Sequence, residues 1–136
     1  MTGAAPSISF LLDTHTLLWL LSDPSKLEPT AVEQLRDRRH TLFVSAASAW
    51  EIATKARLGR IDADRLLSTW MSTLAALGCD ELPIACSDAI AAGQLDWPHR
   101  DPFDRMLVAQ SMTHGLTLAT RDDVIIANAP TAVLRA

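Results

Sequence analysis

Five carboxylates, Asp13, Glu51, Asp101, Asp104 and Asp122, fall where the strand tips and helix starts of a parallel α/β sheet would meet. Two carboxylates about 4 Å apart repel by roughly 4 kcal/mol at an effective dielectric near 20. A pocket of four or five is therefore tolerable only if it holds protons or cations, and folding alone does not call for such a pocket. An all-oxygen pocket suits Mg²⁺ or Mn²⁺, whereas zinc prefers nitrogen and sulfur ligands.

Each acid also has a plainer role. Asp13 follows Phe10-Leu11-Leu12 and could simply cap the helix that opens at Thr14. Glu51 could pair with Lys55 one helical turn on. Asp101 reads as an N-cap, with Asp104 three residues later as a capping-box variant, and either Thr120 or Asp122 could cap the last helix. Taken together the acids weigh more, because the strands of a parallel sheet point one way and deliver the residues at their carboxyl ends to one edge.

Other chemistries have little support. His15, His40, His99 and His114 show no HExxH spacing, and there is no GxSxG, no GxGxxG and no P-loop. Cys79 and Cys86 lack CxxC spacing and read as small core residues. The net charge of −4 argues against strong nonspecific nucleic-acid binding. Lys55, Arg100, Arg105 and Arg121, however, lie close to the acids in sequence and could form a local basic rim, the candidates for contacts to nucleic-acid phosphates should such a substrate apply.

The elements that must position these side chains come from pattern and punctuation. Ile8 to Leu12 reads as a buried central strand and Thr14 to Leu21 as a helix closed by Ser22-Asp23-Pro24-Ser25. Pro29 opens a second helix whose end carries the charged run Arg36 to Arg39. Leu42 to Val44 is a strand, and Ser45 caps a helix from Ala46 to Leu58 stopped by Gly59. Leu66, Leu67, Trp70, Met71, Leu74 and Leu77 predict one helix ending at Gly78. Glu81 to Ile84 is a weak strand, and Ser87 is expected to cap a short helix over Asp88 to Ala92. Asp101-Pro102 launches a helix that runs to Gly115, Leu116 to Ala119 is a strand, a short helix comes after Asp122, and Thr131 to Leu134 is an edge strand. This alternation predicts a parallel sheet covered on both faces, in a single domain spanning residues 1–136. With mean hydropathy +0.14 and no apolar run near the roughly 18 residues of a membrane span, a soluble cytoplasmic protein is expected.

Four segments, in order, resemble the PIN-domain family: Leu11-Leu12-Asp13-Thr14-His15, Ser48-Ala49-Trp50-Glu51-Ile52-Ala53-Thr54-Lys55, Arg100 to Gln110, and Thr117-Leu118-Ala119-Thr120-Arg121-Asp122. The chain looks most like the VapC-type ribonuclease toxins of type II toxin–antitoxin pairs. The resemblance implies a three-layer α/β/α fold with a central parallel sheet, and Asp13, Glu51, Asp104 and Asp122 as catalytic, metal-binding acids. Asp101 is an added acid of the Asp-Pro-Phe-Asp variant, and Thr120 would position a carboxylate or water. It further implies Mg²⁺- or Mn²⁺-dependent hydrolysis of RNA, a homodimer, and neutralisation by a cognate VapB-type antitoxin. The leucines and tryptophans around Trp19 and Trp70 suggest a dimer or antitoxin surface, with core packing as the alternative. Two rival readings are a doubly wound phosphotransfer domain with Asp13 as phospho-acceptor and an inactive PIN-like binding module. The first lacks the second acid two residues after Asp13, where His15 stands, and a late lysine, since Lys55 is the last in the chain.

Overall fold

A computed structural model describes residues 6–136. Five parallel strands form one sheet in the order β3-β2-β1-β4-β5: β1 Ser9–Leu12, β2 Thr41–Ser45, β3 Cys79–Leu82, β4 Thr117–Thr120 and β5 Val133–Arg135. Between them run α1 Thr14–Ser22, α2 Pro29–Arg36, α3 Ala46–Arg57, α4 Asp64–Ser68, α5 Trp70–Leu77, α6 Cys86–Gln94, α7 Pro102–His114 and α8 Asp123–Asn128.

The inner strands β1, β2 and β4 are largely apolar on both sides because both faces of a parallel sheet are covered, whereas the outer β3 exposes Asp80 and Glu81 and β5 exposes Arg135. Phe10, Leu12, Leu42, Val44 and Ala119 face a core shared with Leu17, Leu35, Ile52 and Leu74, while Leu11 and Leu118 face a second core with Leu107, Val108 and Ile125. The result is the expected three-layer α/β/α arrangement. β1 pairs with β2 on one side and β4 on the other, so the chain reverses its winding direction at β1. At such a switch point the connections leave the neighbouring strand tips in opposite directions and open a crevice at the carboxyl edge. Residues 13 and 120 sit at that edge, Asp13 N–H donating to the carbonyl of Ala119 at 3.0 Å.

Several elements depart from the sequence reading, each for a local reason. The single helix expected over 66–77 is broken at Thr69, whose hydroxyl donates to the Arg65 carbonyl (2.8 Å), while Ser68 Oγ donates to the same carbonyl (3.0 Å). Hydroxyls that compete for backbone groups weaken a continuous helix, and α4 and α5 result. The cap of α6 is not Ser87. Ala85 is the N-cap residue, and Asp88 reaches back to accept its N–H at 2.9 Å. β3 starts at Cys79, two residues before the expected strand, directly after Gly78, whose φ of 79° ends α5 in the left-handed region. Cys79 is buried, which pushes its thiol up to about 12, whereas Cys86, also expected in the core, is exposed. Trp19 and Trp70 are half-buried against the first core. Among the described residues, no helix is long and apolar enough to cross a membrane.

One polar tie fastens the second layer to the sheet. Gln110 on α7 is fully buried. Its Oε1 accepts from Ser45 Oγ of β2 at 2.6 Å, and its Nε2 donates to the Pro83 carbonyl (3.2 Å) and to Asp88 Oδ2 (3.4 Å). Gln110→Leu should leave the buried Ser45 hydroxyl without its acceptor and lower stability by about 1–3 kcal/mol, read from the urea midpoint at constant m-value.

Candidate metal centre at the carboxyl edge of the sheet

Asp13 is the N-cap of α1. One carboxylate oxygen accepts from the backbone N–H groups of His15 (2.7 Å) and Thr16 (3.4 Å), and the other accepts from the Thr120 hydroxyl at 2.6 Å. The capping role expected of Asp13 is therefore real, and it does not exhaust the side chain, because Oδ2, with Thr120 as its one donor, has a further lone pair. Only 4% of Asp13 is exposed. Burial raises its carboxyl above the ordinary range in spite of these hydrogen bonds.

Thr120 joins the two strand tips of the crevice. While its hydroxyl donates to Asp13, its oxygen accepts the N–H of Asp122 at 3.1 Å. Asp122 is in turn the N-cap of α8, its Oδ1 taking the Val124 N–H at 2.9 Å, which leaves Oδ2 without a donor among the described residues.

Asp104 lies in the first turn of α7, where Pro102 occupies the first helical position and Asp101 is the cap, accepting from Phe103 N–H (2.9 Å) and Asp104 N–H (3.2 Å). Asp104 does not cap in return. Its Oδ2 meets His99 Nε2 at 2.7 Å. Burial pushes the Asp104 carboxyl up to about 6. The His99 hydrogen bond offsets part of that rise, and the charges of Asp101 and Asp13 add to it.

Glu51 arrives from α3. Ser48, one turn earlier on the same helix face, accepts from Thr14 Oγ1 at 2.9 Å, which ties α3 to the start of α1 beside Asp13. Glu51 itself is buried and carries Lys55 Nζ on Oε2 at 2.6 Å, the helical pair that its spacing allowed.

The basic residues divide. Arg100 is exposed, and Arg121 spends one nitrogen on the Lys26 carbonyl (3.0 Å). Arg105 corrects the expectation of an RNA contact: all five of its N–H donors go to the carbonyls of Ala92, Leu95, Trp97 and His99. It clamps the end of α6 and the adjoining loop onto α7, and with no donor left it has nothing to offer a phosphate. That loop supplies the residue the sequence reading passed over. His99 is stacked on Trp97 at 4.5 Å and aimed at Asp104, and its only signal in the sequence is its place in the loop before Asp101.

Among the described residues, no three Asp, Glu, His or Cys side chains form a ready-made group for a metal ion. Asp13 and Asp122 cap helices at the strand edge, Asp104 lies in the first turn of α7 and Glu51 in the middle of α3, each held by hydrogen bonds. The donor set still fits a hard divalent cation: it is made of oxygens, much of it is buried, and two of its carboxyls are raised by burial, a cost that positive charge would relieve.

Residues 10–129 match the family model of the PIN domain. Over 115 residues the chain is 30% identical to Ribonuclease VapC22 of Mycobacterium tuberculosis, covering 82% of this chain and 85% of that protein. Among solved structures, the VapBC2 complex from Rickettsia felis bound to a promoter DNA fragment superposes with a TM-score of 0.68 at 10% identity, over 93% of this chain and 98% of that one. DNA-bound VapBC from Salmonella typhimurium gives a TM-score of 0.68 at 18% identity, over 93% and 97%. At those identities the structural likeness speaks for the fold, and the sequence matches speak for kinship. With the family model spanning most of its length and the four acidic motifs in order, the chain belongs to the PIN-domain family, of VapC type.

Proposed function

We propose that the protein is a Mg²⁺- or Mn²⁺-dependent endoribonuclease that hydrolyses RNA phosphodiester bonds as the toxin of a toxin–antitoxin pair. One observation carries this reading: the buried Asp13 is fastened through the Thr120 hydroxyl to the tip of the neighbouring strand, where Asp122 keeps one carboxylate oxygen without a donor among the described residues, so acids from two separate motifs meet at one strand edge. Asp13, Glu51, Asp104 and Asp122 would hold the cation, with Asp101 at the rim. A divalent ion in such a site lowers the pKa of water and neutralises charge on a phosphodiester.

The chain's own residues prepare that chemistry. Thr120 and the first turn of α1 fix the Asp13 carboxylate in one rotamer. Lys55 and His99 sit on Glu51 and Asp104 and supply hydrogen-bond donors to carboxylates that a cation would otherwise satisfy. Arg100, Lys55 and Arg121 remain as the phosphate-contacting candidates, and single-stranded or looped RNA is the expected substrate, because duplex grooves give side chains little access. A cognate VapB-type antitoxin and a homodimeric assembly complete the proposal, the former supported by VapBC complexes among the structural neighbours. Phosphotransfer at Asp13 is disfavoured, since a buried carboxylate with three donors on it is poorly presented as a nucleophile.

Purified protein should cleave single-stranded RNA with Mg²⁺ or Mn²⁺, and EDTA should stop it. Asp104→Asn should abolish cleavage while melting at or above the metal-free wild type. Unfolding of that variant would make Asp104 a structural residue, and cleavage unaffected by EDTA would refute the metal.

The metal-free protein should also carry a pH signature. Asp104 binds its proton more tightly folded (about 6) than an ordinary aspartate does (3.8), so the stability it contributes is complete below about pH 4 and is lost as pH rises to about 6. The loss is at most about 3 kcal/mol. Urea unfolding in EDTA between pH 4 and 7 should show this decline in wild type and a shallower one in Asp104→Asn.

A further inference from the structure

The acidic edge is flanked by an aromatic pair that neither the fold nor the carboxylate chemistry uses. Trp50 directly precedes Glu51 on α3, and Phe103 directly precedes Asp104 on α7. The two rings meet edge to face at 5.0 Å and 76°, so the indole is held in place, yet Trp50 is 63% exposed. A tryptophan with most of its surface bare is unusual for core packing, which would cover it. Beside the pair lies a small apolar cleft lined by Ala47, Ile84, Pro102 and Met106. Lys55 and the exposed Arg100 are close in sequence to the two acids.

We propose that Trp50, backed by Phe103, is a stacking platform for a nucleobase of single-stranded RNA next to the scissile phosphate. The proposal rests on the ribonuclease reading and names a subsite within it. A strand whose phosphate lies against Glu51 and Asp104 must lay its adjoining bases on the surface beside them, and the indole is the large planar side chain offered there. Every base has a π-face, so the contact adds affinity without dictating sequence, whereas the acids themselves repel the polyanion and supply none. An antitoxin segment or a second copy of the chain is the competing occupant, and an aromatic pair beside only a small apolar cleft serves a flat ring better than a protein helix.

The test compares wild type with Trp50→Ala and Trp50→Phe. On single-stranded RNA with Mn²⁺, Trp50→Ala should raise KM about tenfold with kcat within about twofold, and Trp50→Phe should recover most of the loss. Melting temperatures should stay together, since the side chain is exposed. Tryptophan fluorescence, corrected with Trp50→Phe for Trp19, Trp70 and Trp97, should be quenched by an oligoribonucleotide and not by an abasic strand of equal length. An unchanged KM, equal quenching by the abasic strand, or an effect confined to self-association or antitoxin binding would overturn the proposal. If wild type cleaves nothing, the ribonuclease reading fails while the quenching comparison still decides the platform.

Discussion

The burial of Asp13 at the reversal of sheet winding is the constraint around which this molecule is arranged. A carboxylate at a central strand tip is shielded by strands on both sides and by the helix that it caps, so water cannot stabilise it. Its neighbours answer that cost only in part. Three donors reach its oxygens, yet its proton affinity stays high, and Asp104 across the crevice is raised as well. Removing that tension by evolution would have been simple, since an asparagine would cap α1 as well. An acid kept there suits the cation proposed for this edge.

Much of the remaining polar architecture serves to hold that edge still. Thr120 locks two strand tips together, Ser48 and Thr14 pin α3 to α1, and Gln110 with Asp88 fastens α7 and the start of α6 to the sheet. No buried side-chain nitrogen or oxygen among the described residues lacks a partner. A site whose carboxylates are set by such ties would lose little entropy on binding the proposed cation, because their rotamers are already chosen.

The layered fold and the capping positions of Asp13, Asp101 and Asp122 were legible in the sequence because both depend on strong local signals. Apolar runs ending at Asp13 and Thr120, Pro102 after Asp101, and glycines at 78 and 115 each have one dominant structural meaning. The features that escaped were decided by partners distant in sequence or by competition among weak preferences. The break at Thr69 depends on hydroxyls winning over backbone pairing, and the α6 cap on Asp88 reaching back rather than Ser87 reaching forward. Arg105 looked like a surface cation beside acids. Its actual surroundings are carbonyls up to thirteen residues away, brought together only when the loop closes over it. His99 gained its meaning from the same closure.

That clamp changes how loss-of-function alleles at this position would be understood. A planar fork serving four carbonyls has no equivalent in lysine, whose ammonium is a single compact donor centre. A charge-conserving replacement at residue 105 would release the 95–99 segment and with it the imidazole beside Asp104. Inactivity in such a mutant would be easy to ascribe to a missing substrate contact, when the damage is architectural and lies one loop removed from the chemistry.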